Sequence, residues 1–198
     1  MNTSTTAPDV RQRILETAID LFYRQGFRAT GINQIIAESG VAKASFYAHY
    51  PSKDDLLYEY AREMARRDLA DIQAAVNALP TPRERFFGPL QVLPSWFAET
   101  GWRGCPFQNM MSEIPPDDQR TREVAKQHKV LFRDYYRKLA ADLAASEPEL
   151  ANLDCDAIAD AYLILFEGVL AASVGYQDDW PVTAARRVLE HLLACESS

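Results

Sequence analysis

Residues 30–53, TGINQIIAESGVAKASFYAHYPSK, constrain the chain more than any other stretch. Ile32, Ile35 and Ile36 recur at helical spacing and stop at Gly40, a residue able to take the left-handed backbone that ends a helix. Gly40-Val41-Ala42 therefore reads as a tight turn. A second short helix follows over 43–49, with Phe46 facing inward. Two short helices around a glycine turn make a helix-turn-helix, the motif that lays its second helix in the major groove of DNA.

The outward face of that second helix carries the chemistry. Lys43, Ser45, Tyr47 and His49 all donate hydrogen bonds, and Ala44 is small enough to let the backbone approach base edges. No carboxylate lies between Val41 and Ser52, although acidic side chains outnumber basic ones 28 to 21 over the chain. A surface that meets phosphate must exclude carboxylates, because phosphate contacts supply most of the non-specific affinity. The competing reading is an ordinary solvated turn between packed helices. Charge distribution favours the first. Residues 1–53 hold six basic and four acidic side chains, and the remainder holds 15 and 24. An acidic chain thus keeps its one positive balance where the motif lies, and the local field is what DNA meets.

The run RILETAIDLFYRQGFRATGINQIIAESGVAKASFYAHYPSKDDLL resembles the DNA-binding domain of the tetracycline-repressor (TetR/AcrR) family of bacterial regulators. The resemblance covers roughly residues 10–57. It is carried by Ile14-Leu15, Leu21-Phe22, Gly26-Phe27, Thr30, Ile35, Gly40-Val41, Phe46-Tyr47, His49-Tyr50 and Ser52-Lys53-Asp54. No one pair is specific; so many in register are. By motif position, the resemblance implies that Thr30, Tyr47, His49 and Lys53 grip phosphates. Asn33 is a candidate for a backbone or a base contact. Lys43, Ala44 and Ser45 are implied base readers, Lys43 suited to guanine and Ala44 to a thymine methyl. Ala42, Ala44 and Ser45 depart from the family pattern by offering few long side chains, so specificity is expected to lean on DNA shape.

The rest of the chain reads as helices. A Ser/Thr-rich arm over 1–8 precedes a helix at 9–25, buried through Val10, Ile14, Ala18, Ile19 and Phe22 and ended by Gly26. Thr30 is the expected N-cap of the next helix, and Ser52 that of a long helix at 53–78 whose first turn holds Asp54 and Asp55. Further helices are expected at 82–100, 106–114, 117–146, 154–176 and 181–195. Between them lie Gly101-Gly104, Pro115-Pro116, Pro148 and Asp178-Asp179. No segment alternates with period two. The expected class is all-α: a three-helix head in residues 1–53 and a larger ligand-binding and dimerisation body in 54–198. The family resemblance implies about nine helices. It also implies a homodimer, joined by a four-helix interface that draws on Tyr162, Phe166, Val169, Leu170, Val188, Leu189 and Leu192.

No G-x-S-x-G, H-E-x-x-H, C-x-x-C or glycine-rich phosphate loop is present, so no enzyme activity, metal or cofactor is expected. Of the three histidines, His49 is assigned to DNA, and His128 and His191 read as surface helical residues. No apolar run near 18 residues is evident and the N-terminus lacks a secretory signal, so a cytoplasmic protein with no membrane partner is expected. Cys105, Cys155 and Cys195 are odd in number and widely spaced, which fits a reducing compartment.

The segment 96–113 mixes Trp, Phe and Met with a few polar groups, the composition of a small-molecule pocket. By family analogy, some of Trp96, Phe107, Met110, Met111, Phe132, Tyr136 and Phe166 line an inducer cavity. Cys105 before Pro106 is placed at a helix N-cap, near Arg103. A lowered thiol pKa is expected there, which would suit an electrophile or redox sensor. These readings converge on a homodimeric repressor. It would bind double-stranded DNA at a palindromic operator, with half-sites roughly 34–36 Å apart, and be released by a small hydrophobic or electrophilic inducer. The alternatives are an activator or architectural DNA-binding protein without small-molecule control, or a thiol-based sensor acting through Cys105.

Overall fold

The computed structural model describes residues 9–196; the N-terminal arm expected at 1–8 lies outside the described residues. The head consists of α1 (Val10–Gln25), α2 (Ile32–Ser39) and α3 (Lys43–His49). The body begins with α4 (Lys53–Asn77), α5 (Pro82–Gln91), α6 (Leu93–Glu99) and α7 (Pro106–Glu113). It continues with α8 (Gln119–Ser146), a 3-10 turn at Pro148–Leu150, α9 (Cys155–Tyr176) and α10 (Trp180–Glu196). No strand occurs among the described residues. The expected helix at 82–100 is bent in two at Val92, because Pro94 lacks the N–H that would reach the carbonyl of Leu90. Val92 itself keeps helical angles, φ −80° and ψ −18°, so α5 and α6 count as one bent helix and the α-helices among the described residues number nine.

The head closes on a small apolar centre. Ile14, Leu15, Ala18, Leu21 and Phe22 of α1 meet Ile35 of α2 and Phe46 of α3, all buried. Gly40 sits at φ +63°, ψ +33°, and Val41 N–H donates to the carbonyl of Ile36, the closure that turns the chain into α3. One N-cap differs from expectation. Gly31 caps α2, and the fully buried Thr30 hydroxyl donates instead to the Gly26 carbonyl at 2.8 Å. Ser52 does cap α4, its Oγ accepting from Asp55 N–H at 3.0 Å.

In the body, α8 packs against α4, α5 and α9, and α9 against α10. Its centre is aromatic: Tyr136 of α8 stacks on Tyr162 of α9 with ring centroids 4.2 Å apart, and Tyr162 donates to the Phe86 carbonyl. The α9 helix qualifies one sequence expectation without reversing it: no uninterrupted apolar run near 18 residues occurs, but this helix comes close. Its 22 residues contain an 18-residue window of mean hydropathy 1.7, long and apolar enough to cross a membrane by composition. Individual residues had concealed it, because Asp156, Asp160 and Glu167 punctuate the run. Its apolar side chains divide between two faces. Ile158, Tyr162, Phe166, Val169 and Leu170 are buried against the subunit's own helices, while Ala157, Ile164, Gly168, Ala171 and Gly175 form an outward stripe.

This division corrects the expected dimer residues. Tyr162, Phe166, Val169, Leu170 and Leu189 are all 5% exposed or less within one subunit, so they are core. Val188 is exposed and Leu192 half-buried. The large apolar side chains turned outward on α9 and α10 are Ile164 at 71% exposure, Val174, Tyr176, Trp180 and Val188.

Candidate functional site

Two regions carry chemistry. On the head, Phe46 is wholly buried and holds α3 down, its ring edge-on to Tyr47 at 5.3 Å. Tyr50, 1% exposed, closes the far end, and its hydroxyl donates to the Arg11 carbonyl. Anchored at both points, α3 turns Lys43, Ala44, Tyr47 and His49 outward, with Ser45 half-covered, and Asn33 stands exposed on neighbouring α2. Lys53 lies differently. Its ammonium is 4.2 Å from the centre of the Phe27 ring, and burial holds its pKa below the usual lysine value. Thr30 is not on this surface. Its hydroxyl is buried under α1, so the expected phosphate contact from that side chain is withdrawn.

The head is latched to the body at two seams. Arg28 donates its backbone N–H to Glu113 Oε2 and its Nε to the Glu113 carbonyl, both at 2.7 Å. The approach is possible only because residue 26 is glycine: at φ +94°, a Cβ there would stand 2.5 Å from Glu113 Oε1. Beside it, Tyr23 donates its hydroxyl to the Gly104 carbonyl and Arg103 donates to the Tyr23 carbonyl. The second seam joins α1 to α4, where Arg67 bridges Glu16 and Glu63.

The second region is a half-open cavity of about 350 Å³ lined by α4, α6, the start of α7, α8 and α9, with Asp71, Ser95 and Glu99 exposed at its rim. Trp96, Phe132, Phe166 and Leu170 supply its apolar wall. Charged groups share it: Asp68 and Asp71 from α4, Glu99 from α6, Lys129 from α8 and Glu167 from α9. Lys129 is bound to Glu167 at 2.6 Å. His128 is only 4% exposed, with its ring stacked on Phe107 at 4.0 Å and Nε2 3.4 Å from Asp68 Oδ2. Neither ring nitrogen has a hydrogen-bond partner.

Comparison with known proteins agrees with this arrangement. The family described as bacterial regulatory proteins, tetR family, matches residues 14–60, and the tetracyclin repressor-like C-terminal domain matches 90–189. The HTH-type transcriptional regulator LmrA of Bacillus subtilis is 31% identical over 141 residues, covering 70% of this chain and 75% of LmrA. The chain belongs to the tetR family. It is a helix-turn-helix transcriptional regulator. The HTH-type regulator YxaF of Bacillus subtilis is 28% identical over 180 residues, covering 90% of this chain and 92% of YxaF. A TetR-family regulator from Streptomyces coelicolor superposes with a TM-score of 0.82 at 26% identity, covering 96% of both chains.

Some of the residues expected around a cavity in the body are found there and others are not. Trp96, Cys105, Phe132 and Phe166 line the cavity; Phe107, Met110, Met111 and Tyr136 do not. Phe107 lies behind His128, and Met110 turns toward Phe22 and Phe27 at the head–body joint. Met111 packs on the core, and Tyr136 is committed to its stack with Tyr162. Cys105 does cap α7, ahead of Pro106. Its thiol is nevertheless 4% exposed, and burial pushes its pKa up, against the pull of Lys129. Arg103 gives no help, because its guanidinium is turned to Tyr23. The expected activated thiol is therefore absent.

His128, expected at the surface, is a wall residue, and Asp68, Lys129 and Glu167 were not anticipated. The helical period could have found His128, which shares the buried stripe of α8 with Ala125, Phe132 and Tyr135. Nothing in the local sequence marks Asp68, which matters only because α4 and α8 pack together.

Proposed function

We propose that this chain is a homodimeric repressor that leaves a palindromic operator when a small molecule fills the body cavity. One observation carries the reading: the reader and the cavity share a helix. The 25-residue α4 begins at Lys53, four residues after α3 ends, and its Asp68, Asp71 and Ile72 form part of the cavity wall. A ligand that shifts α4 shifts the spacing of the two reading helices. Linkage then requires ligand and DNA to weaken each other's binding by the same factor.

In this reading residues 1–53 are the head and 54–198 the body. Lys43, Ala44 and Ser45 read bases; Tyr47, His49, Lys53 and Asn33 hold the backbone. Trp96, Cys105, Phe132 and Phe166, with His128 and Asp68, receive the inducer. The dimer forms through the outward stripe of α9 around Ile164, with Val188 and Leu192 of α10, since an exposed apolar surface of this kind marks an interface.

Fluorescence anisotropy on duplexes from the protein's own promoter tests the whole. Tight, salt-sensitive binding with two half-sites roughly 34–36 Å apart supports it. A protein that stays monomeric by light scattering, or ignores those duplexes at low salt, refutes it. Ile164→Asp is expected to yield monomers that have lost operator binding.

A further inference from the structure

The cavity has a chemical bias that narrows what can occupy it, and the inference rests on reading it as the inducer site. Four carboxylates line it, from Asp68, Asp71, Glu99 and Glu167, against one lysine. Lys129 is already neutralised by Glu167 at 2.6 Å, and Asp71 and Glu99 enter no ion pair. An anionic ligand would have to displace Glu167 from Lys129 and then face the remaining carboxylates. A neutral one would leave that field unused. A cation gains from the field and from the face of Trp96, since aromatic rings attract positive charge.

Two neighbouring features say where the charge goes. His128 lines the wall, 4% exposed, with Nε2 3.4 Å from Asp68 Oδ2 and neither ring nitrogen in a hydrogen bond, so one polar group of a ligand has a contact waiting for it. Next to it, Asp68, Trp96 and Pro106 line the cavity and also a second cleft of about 300 Å³, whose other walls include Glu16, Ile19, Asp20 and Tyr23 of α1. The two spaces meet at Asp68, which faces the body cavity on one side and the head on the other. Glu16 and Asp20 on the far side are themselves tied to Arg67 and Arg24, whereas Asp68 faces the His128 ring at 3.4 Å and, among the described residues, pairs with no lysine or arginine, which leaves it as the anchor.

We propose that the inducer is an organic cation with an apolar aromatic body, its ring among Trp96, Phe132 and Phe166 and its charged nitrogen at Asp68, where body cavity and head meet. Such a ligand pushes between α4 and α1 from inside, at the seam that carries the head.

Calorimetry on the full chain with three matched probes tests this: 4-phenylbutylamine, 4-phenylbutanol and 4-phenylbutyrate. The amine is expected to bind about tenfold more tightly than the alcohol, with the carboxylate weakest. Asp68→Asn, nearly isosteric, is expected to remove that advantage by lowering amine affinity more than alcohol affinity. Glu99→Gln at the exposed rim is expected to lower amine affinity less, which keeps the test intact if position 68 proves structural. The charge assignment is overturned if the alcohol or the carboxylate binds as well as the amine, or if both variants leave the amine's advantage intact. If none of the three binds while operator binding is normal, the reading of the cavity as an inducer site fails as well.

Discussion

The head and the body solve opposite problems with the same material. On α3 the functional side chains lie outside, and one wholly buried residue, Phe46, holds them in place. In the body the proposed inducer groups line a half-open cavity, where His128 is buried and Asp68, Lys129 and Glu167 are about a quarter exposed. An exposed reader can change its residues at little cost to folding, because surface substitutions perturb stability only slightly. A cavity site cannot, because every polar group buried in it needs a partner or stands unsatisfied. That explains why the reader is plain to see in the sequence and the cavity is not.

The largest effect that tests this contrast is expected from Tyr136→Ala. Removing one half of the Tyr136–Tyr162 stack should destabilise the protein by about 3–5 kcal/mol in urea unfolding. Lys43→Ala should leave stability within about 0.5 kcal/mol but weaken operator binding by about 1–3 kcal/mol. Its loss on random DNA should be smaller. Equal loss on both, measured by anisotropy, would return Lys43 to the backbone contacts. Glu113→Ala at the latch should lower stability by about 1 kcal/mol. It should also shrink the ligand's effect on DNA affinity, leaving ligand affinity itself unchanged; a coupling that survives intact would place the transmission elsewhere.

A smaller effect is pH-dependent. Arg66, with Arg67, holds the Glu63 carboxyl down at about 2, against an ordinary 4.5. The folded value is depressed, so this contribution is present in full above pH 4.5 and is lost as pH falls toward 2. Glu63→Gln should flatten acid unfolding curves in that window. The smallest concerns thiol reactivity: mass spectrometry of partial alkylation should find exposed Cys195 modified first, half-buried Cys155 next and buried Cys105 last.

Much of the fold was legible because its boundaries are punctuated by residues with one physical meaning. Gly40 ends α2, Ser52 starts α4, and Pro106 starts α7. The reading face was legible from what it lacks, a run without carboxylates. Three errors share a cause: local sequence does not say which neighbour claims a side chain. Thr30 suits an N-cap, yet the Gly26 carbonyl claims its hydroxyl. The family resemblance puts Tyr162, Phe166 and Leu189 in the dimer, yet bulky apolar residues fill their own subunit first. What remains outside is the less conspicuous set of Ile164, Gly168 and Ala171. Cys105 obeys the helix-capping rule in position and breaks it in chemistry, because burial outweighs the pull of Lys129.

The bare α-carbon at position 26 has an evolutionary corollary. With the Glu113 carboxylate lying where any side chain would begin, this position sits at the joint between the protein's two parts. Lineages that replace it are expected to drift toward regulators deaf to their signal while still able to recognise their genes. Selection screens for uninducible strains should therefore recover hits here, away from α3 and from the body cavity.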